Sequence, residues 1–227
     1  MSAATIDADA VVFDAYGTLF DVASAAQRHA ARVGADWPKL AELWRQKQLQ
    51  YTWLRSLMGR HADFWHVTGE ALDYALASLR RSDPGLRAAL MEQYLALDAY
   101  PDVKPALERL RAAGKKVATL SNGSPTMLIA ALNSAGLARL MAPPLSVEAV
   151  GIYKPAPAVY QLAVDRLGVA AARICFVSAN GWDACAGAAF GFRAVWINRA
   201  DAPPERLPGE PAATVRGVGE VPPLLGL

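Results

Sequence analysis

The chain has 227 residues, 53% of them apolar and 19% charged, with a formal net charge of +2. A globule of this length buries roughly 70–75% of its unfolded surface and needs no structural metal or disulfide; the absence of a clustered Lys/Arg footprint argues against a nucleic-acid partner. No apolar run approaches the roughly 18 residues of a membrane span, and the opening MSAATIDADA lacks the basic start and apolar core of a signal peptide, so a cytoplasmic protein with no membrane partner is expected.

The first strand is expected at Ala10–Asp14 (AVVFD), a short run without period-two alternation that suits burial on both faces of a parallel sheet. From Val22 to Ala99 the texture changes to four helical runs with no convincing strand. The longest is Pro38–Met58, with apolar residues at Leu40, Trp44, Tyr51, Leu54 and Met58, and Asp83-Pro84 opens the last. Strands return at Lys116–Ser121, Arg173–Ser178 and Arg193–Asn198. Between them, Ser124-Pro125 reads as a helix N-cap with Pro at the first position, Gly136 as its stop, and Ala156–Leu167 and Ala184–Phe190 as two further helices. Cys175 and Cys185 read as reduced packing thiols. Residues 201–227 suggest a loop and a final edge strand. The alternation predicts a doubly wound, Rossmann-like parallel α/β core (residues 1–21 and 100–227) with an inserted all-helical cap domain (22–99) standing over the strand ends.

Ligands of open α/β sheets sit at the carboxyl ends of the strands. The first strand ends in Asp14-Ala15-Tyr16-Gly17-Thr18, the second in Ser121-Asn122-Gly123, and the third runs on through Ser178, Asn180, Trp182 and Asp183, while Lys154 lies in the loop of residues 151–157. A strand-terminal Asp is often only a turn cap, and a single lysine is usually a solvated one. Two carboxylates, a hydroxyl–amide pair and an ammonium converging on one rim point instead to a reaction site. The three histidines, His29, His61 and His66, match no motif.

The segments FDAYGTLFD (13–21), LSNGSP (120–125), YKPAPAVY (153–160), FVSANGWDACAGAAFGF (176–192) and LWRQKQLQYTWLRSLMGRHADFW (43–65) resemble the haloacid dehalogenase superfamily, and within it the L-2-haloacid dehalogenases, over about residues 10–198. The resemblance implies a metal-independent, cofactor-free hydrolase that takes short (S)-2-haloacids to (R)-2-hydroxyacids, with a homodimeric assembly. It makes Asp14 the covalent nucleophile and Arg45 the halide acceptor, with Asn122 and Trp182 completing the halide cradle. Lys154, Asp183, Ser178 and Asn180 serve the water step, and Thr18 and Tyr160 hold the cluster. Ser121 and the N–H groups of Ala15 and Tyr16 would fix the substrate carboxylate, with Tyr16, Gln46, Leu49, Phe64 and Trp182 lining the pocket. Tyr160 equally fits a packing role. The alternatives are a Mg²⁺-dependent phosphatase of the same superfamily and a non-catalytic binding module. Against the phosphatase, Tyr16 stands where a second Asp is needed, and the acidic cluster that Mg²⁺ requires is reduced to Ser178, Asn180 and Asp183. A departing halide needs no acid.

Overall fold

The computed structural model describes residues 5–227; residues 1–4, which include the start of the opening stretch and of the expected core, lie outside the described residues. The chain begins with β1 (Ala10–Phe13), whose four residues are all fully buried. It is followed by the short strand β2 (Phe20–Asp21) and five helices: α1 (Ser24–Arg28), α2 (Ala30–Val33), α3 (Trp37–Leu57), α4 (Phe64–Ser78) and α5 (Pro84–Gln93). Then come β3 (Asp98–Ala99), α6 (Val103–Ala112), β4 (Lys116–Ser121), α7 (Pro125–Ser134), β5 (Leu145–Ser146), α8 (Pro157–Leu167), β6 (Ile174–Ser178), α9 (Gly181–Phe190), β7 (Arg193–Ile197), β8 (Ala213–Val215) and α10 (Val221–Leu224).

Six strands form one parallel sheet in the order β5-β4-β1-β6-β7-β8. Apolar runs such as ICFVS in β6 are buried throughout, because helices pack around the sheet and leave little of it to water. β1 lies between β4 and β6, so the ends of these three strands stand side by side. The final strand is β8, at the sheet edge as expected.

Three expectations need correction. The stretch 22–99 contains a strand after all: β3 pairs antiparallel with β2, Phe20 opposite Ala99, and this two-stranded ribbon carries the chain out of the sheet region and back. Two-residue strands lack any readable alternation, which is why they escape a periodicity argument. The helical runs number five, since a break at His29 splits the first into α1 and α2. Finally, α9 starts at Gly181 instead of Ala184, because Asp183 and Ala184 already donate their N–H groups to Asn180 O; Trp182 and Asp183 therefore stand in its first turn.

The expected caps of the other helices form. Ser124 Oγ accepts from Met127 N, and Asp83 Oδ1 from Leu86 N. Among the described residues no helix is long and apolar enough to cross a membrane.

Candidate active site

Register sets the stage: Phe13 pairs with Thr119 of β4 and Val177 of β6, so the next residue, Asp14, emerges level with Leu120 and Ser178. Its N–H is tied to Val177 O at 2.9 Å. The chain then turns through Gly17, which takes φ +90°, a conformation natural only to glycine. That turn swings Thr18 back over the strand end. Thr18 Oγ1 donates to Asp14 Oδ2 at 3.1 Å and accepts from Ala179 N at 2.8 Å, joining the loops after β1 and β6. No backbone carbonyl takes the N–H of Ala15 or Tyr16 among the described residues, which leaves two adjacent donors for an anion.

Asn180 holds the other side of the same carboxylate. It occupies the N-cap of α9 without capping it; its Nδ2 donates instead to Asp14 Oδ2 at 2.9 Å, and its backbone N–H is held by Ser178 Oγ at 3.2 Å. Asp14 Oδ2 thus has two donors and Oδ1 one, the Lys154 ammonium at 3.1 Å.

Lys154 is buried with its charge between two carboxylates, since Nζ also lies 2.8 Å from Asp183 Oδ2. Burial works against the ammonium, but Asp14 and Asp183 outweigh it and hold its pKa above the ordinary lysine value. Asp183, wholly buried, is pushed up from the usual carboxylate range by desolvation, opposed by Lys154 and reinforced by Asp14. Tyr160 OH donates to Asp183 Oδ1 at 2.7 Å, while its ring packs on Phe176, Phe190 and Phe192. The tyrosine both packs and bonds. Its hydroxyl is held in the donor form because burial, then the Asp183 charge, push its pKa up. The backbone N–H of Lys154 is anchored on Asn122 Oδ1 at 3.1 Å.

These groups close on a small cavity of about 10 Å³, about the room of one water. Asp14, Ser121, Asn122, Lys154, Asn180 and Trp182 line it from the sheet side, and Tyr16 from the turn. Arg45 and Leu49 of α3 and Phe64 of α4 line it from above. Ser121 Oγ accepts from Gly123 N at 3.1 Å. Glycine at 123 is required by packing: a Cβ there would meet Tyr16 Cε2 at 2.7 Å. Thr18, Ser178, Tyr160 and Asp183 stand behind the lining, reaching the cavity through Asp14, Asn180 and Lys154.

Gln46 does not face this cavity; it is exposed to solvent. On a helix Arg45, Gln48 and Leu49 share one face and Gln46 is turned about 100° from Arg45. The buried amide of this turn is Gln48, whose Oε1 accepts from Arg45 Nη1 at 2.8 Å and Tyr94 OH at 3.1 Å, and whose Nε2 donates to Thr68 Oγ1 at 2.7 Å. Arg45 Nη2 in turn donates to Tyr16 O at 3.0 Å. Gln48, Thr68 and Tyr94 were missed by sequence reasoning. The i, i+3 spacing of Gln48 from Arg45 was an available signal; nothing local marks Tyr94. Arg199 was also missed: it donates to the carbonyls of Gly17 and Thr18, both at 3.0 Å, and covers the Tyr100 ring.

A carboxylate held by fixed donors, a buried ammonium and a second carboxylate behind it, and a guanidinium opposite are the parts of a nucleophilic displacement that expels an anion. The cation between the carboxylates is the lysine itself. Among the described residues no group of three or more His, Cys, Asp or Glu side chains is placed to hold a metal.

Comparison with known proteins gives a consistent picture. Residues 8–191 match the family model of haloacid dehalogenase-like hydrolases. The chain is 51% identical over 197 residues to (S)-2-haloacid dehalogenase 4A of Burkholderia cepacia, covering 86% of this chain and 85% of that one. It is 47% identical over 219 residues to (S)-2-haloacid dehalogenase 1 of Pseudomonas sp. strain CBS-3, covering 95% and 96%. The solved L-2-haloacid dehalogenase of Xanthobacter autotrophicus with chloropropionic acid covalently bound superposes with a TM-score of 0.89 at 38% identity, over 96% of this chain and 98% of that one.

Proposed function

The chain belongs to the haloacid dehalogenase-like hydrolases, and on that premise we propose that it hydrolyses short-chain (S)-2-haloacids to (R)-2-hydroxyacids and halide through an ester on Asp14. The observation that carries this reading is the Lys154 ammonium lodged between Asp14 and Asp183, at 3.1 and 2.8 Å, beside a Tyr16 ring where a phosphatase needs a second acid.

Asp14 Oδ1, with a single donor, keeps a lone pair for in-line attack on C2. The C–X bond breaks as the O–C2 bond forms, and the halide leaves with the bonding electrons, inverting C2. Arg45 faces the leaving group; a charge pair at 4 Å and an effective dielectric near 20 is worth roughly 4 kcal/mol before desolvation. Asn122 and Trp182 complete the cradle, with Leu49 and Phe64 as its apolar walls. The substrate carboxylate is fixed by Ser121 and by the free N–H groups of Ala15 and Tyr16.

Water then attacks the ester carbonyl carbon of Asp14. Asp183 takes its proton, a role suited to a carboxyl with a raised pKa. The oxyanion develops on Oδ2, already faced by Thr18 Oγ1 and Asn180 Nδ2 at 3.1 and 2.9 Å, donors placed for the charge before it forms. Collapse expels the product alkoxide, which recovers the proton from Asp183, and Asp14, left as the acid, gives the second water proton to solvent. No metal takes part in this scheme.

Helices α1–α5, within residues 22–99, act here as a cap domain over a core of residues 1–21 and 100–227. A homodimer belongs to the same reading, supported by the exposed Leu54, Met58, Trp65 and Tyr74 on or beside α3 and α4; light scattering giving only a 24.2 kDa species overturns it. A cytoplasmic location is supported by the two free, buried cysteines. The test of function is halide release from each enantiomer of 2-chloropropionate and from fluoroacetate, with and without EDTA. Release from the (S) enantiomer alone, unaffected by EDTA, is expected. Hydrolysis of a phosphate ester that EDTA abolishes overturns the reading.

A further inference from the structure

A second cavity, of about 980 Å³, lies beside the closed one, between the C-terminal end of α3, the start of α8, and α9. Lys154 and Trp182 belong to the linings of both, so these two residues form part of the wall between them. Trp182 meets Trp53 edge-on at 5.4 Å. The outer cavity is walled by apolar groups, among them Leu57, Ile152, Phe190 and Leu207. Apart from the indole of Trp53, its polar side chains at the inner wall are engaged elsewhere. Tyr160 OH is on Asp183, Lys154 Nζ on both carboxylates, and Ser56 Oγ on Thr52 O and Tyr153 N. A charged ligand finds no free counter-ion there, whereas an alkyl chain finds a continuous apolar surface. The inner cavity, at about 10 Å³, has no room for such a chain.

We propose that the outer cavity is the subsite for the alkyl chain of larger 2-haloalkanoates, opened to the inner site when the Trp53 ring shifts off Trp182, which keeps its place in the halide cradle. The carboxylate and C2 then stay at Asp14 while the chain lies between Trp53 and Phe190. The buried Trp53 Nε1 has no hydrogen-bond partner, although a buried indole N–H usually finds one; this fits a ring that changes position when a ligand arrives. The inference rests on the function proposed above and extends it to substrate range.

The experiment is steady-state bromide release from (S)-2-bromopropionate, 2-bromobutyrate, 2-bromohexanoate and 2-bromooctanoate. It uses wild type and two variants that fill the cavity from different walls, Ala186→Phe and Leu207→Trp, each first checked by thermal melting. Burying one methylene is worth roughly fourfold in affinity, so kcat/KM of wild type rises by up to about that factor per added methylene. Either filler flattens the series and leaves 2-bromopropionate turnover intact. A wild-type series that is flat or falls with chain length overturns the subsite, as does a rise that both fillers leave unchanged. Bromide from 2-bromopropionate with a flat series refutes the subsite alone; no bromide from any acid refutes the proposed function and the subsite with it.

Discussion

Gln48 holds Arg45 in place: its Oε1 accepts from Arg45 Nη1 at 2.8 Å and is itself fixed by Tyr94 OH at 3.1 Å, while its Nε2 donates to Thr68. The amide is almost wholly buried and bonded through both its ends, so the guanidinium meets the cavity in one orientation. Removing one partner of a buried hydrogen bond costs about 1–3 kcal/mol. Gln48→Leu is therefore expected to lower kcat roughly 10-fold or more and to weaken inhibition by bromide. Loss of thermal stability with unchanged bromide inhibition would reduce Gln48 to a packing residue. Arg45→Ala removes the cation itself, and a loss of roughly 10²–10³-fold in kcat is expected.

Asp14→Asn is expected to abolish turnover with no change in circular dichroism, because an amide keeps the shape of the carboxylate and loses its nucleophilicity. Wild type should meanwhile give unlabelled hydroxyacid in a single turnover in ¹⁸O water, with the label in the Asp14 peptide by mass spectrometry. Label in that first product means that water attacks C2 directly.

Thr18→Val and Asn180→Ala each remove one donor from Asp14 Oδ2. If these donors hold the oxyanion of the second step, ester hydrolysis slows roughly 10²-fold or more. Acid-quenched steady-state samples then carry the added mass of the ester-linked carboxyalkyl group on the Asp14 peptide. A fall in kcat with no ester built up assigns the two side chains to the first step.

The pH profile of kcat, which includes the ester hydrolysis, follows from two buried groups. Asp183 must be ionised to accept a proton and its pKa is raised, so the acid limb should lie above the ordinary carboxylate value of about 3.9. Lys154 must stay protonated and its pKa is also raised, so activity should persist beyond the ordinary lysine value of about 10.4. The sign for stability agrees: a raised lysine stabilises the fold fully below the unfolded value and loses that contribution as pH rises through the folded one. Lys154→Met is expected to abolish the alkaline limb together with most of the activity. An acid limb at or below the ordinary carboxylate value would remove Asp183 as the base.

The sequence by itself determined which strands are buried in the parallel sheet, because AVVFD, KVATLS and RICFVS lack alternation and can only be covered on both faces. It also determined which polar residues follow those strands, since strand ends are legible wherever an apolar run stops. Tertiary structure alone decided which of those residues touch. Lys154 reaches Asp14 across 140 positions and Asp183 across 29, distances at which no local pattern carries information. It also decided the face of α3: the resemblance implied Gln46 in the pocket beside Leu49, but packing against α4 buries Trp44, Gln48 and Thr52 and leaves Gln46 in water. The two-residue ribbon of β2 and β3, and Tyr94 bonded to Gln48, exist only because the chain returns from its helical excursion to where it left; pairing of that kind is fixed by the closed path of the chain and leaves no periodicity to read.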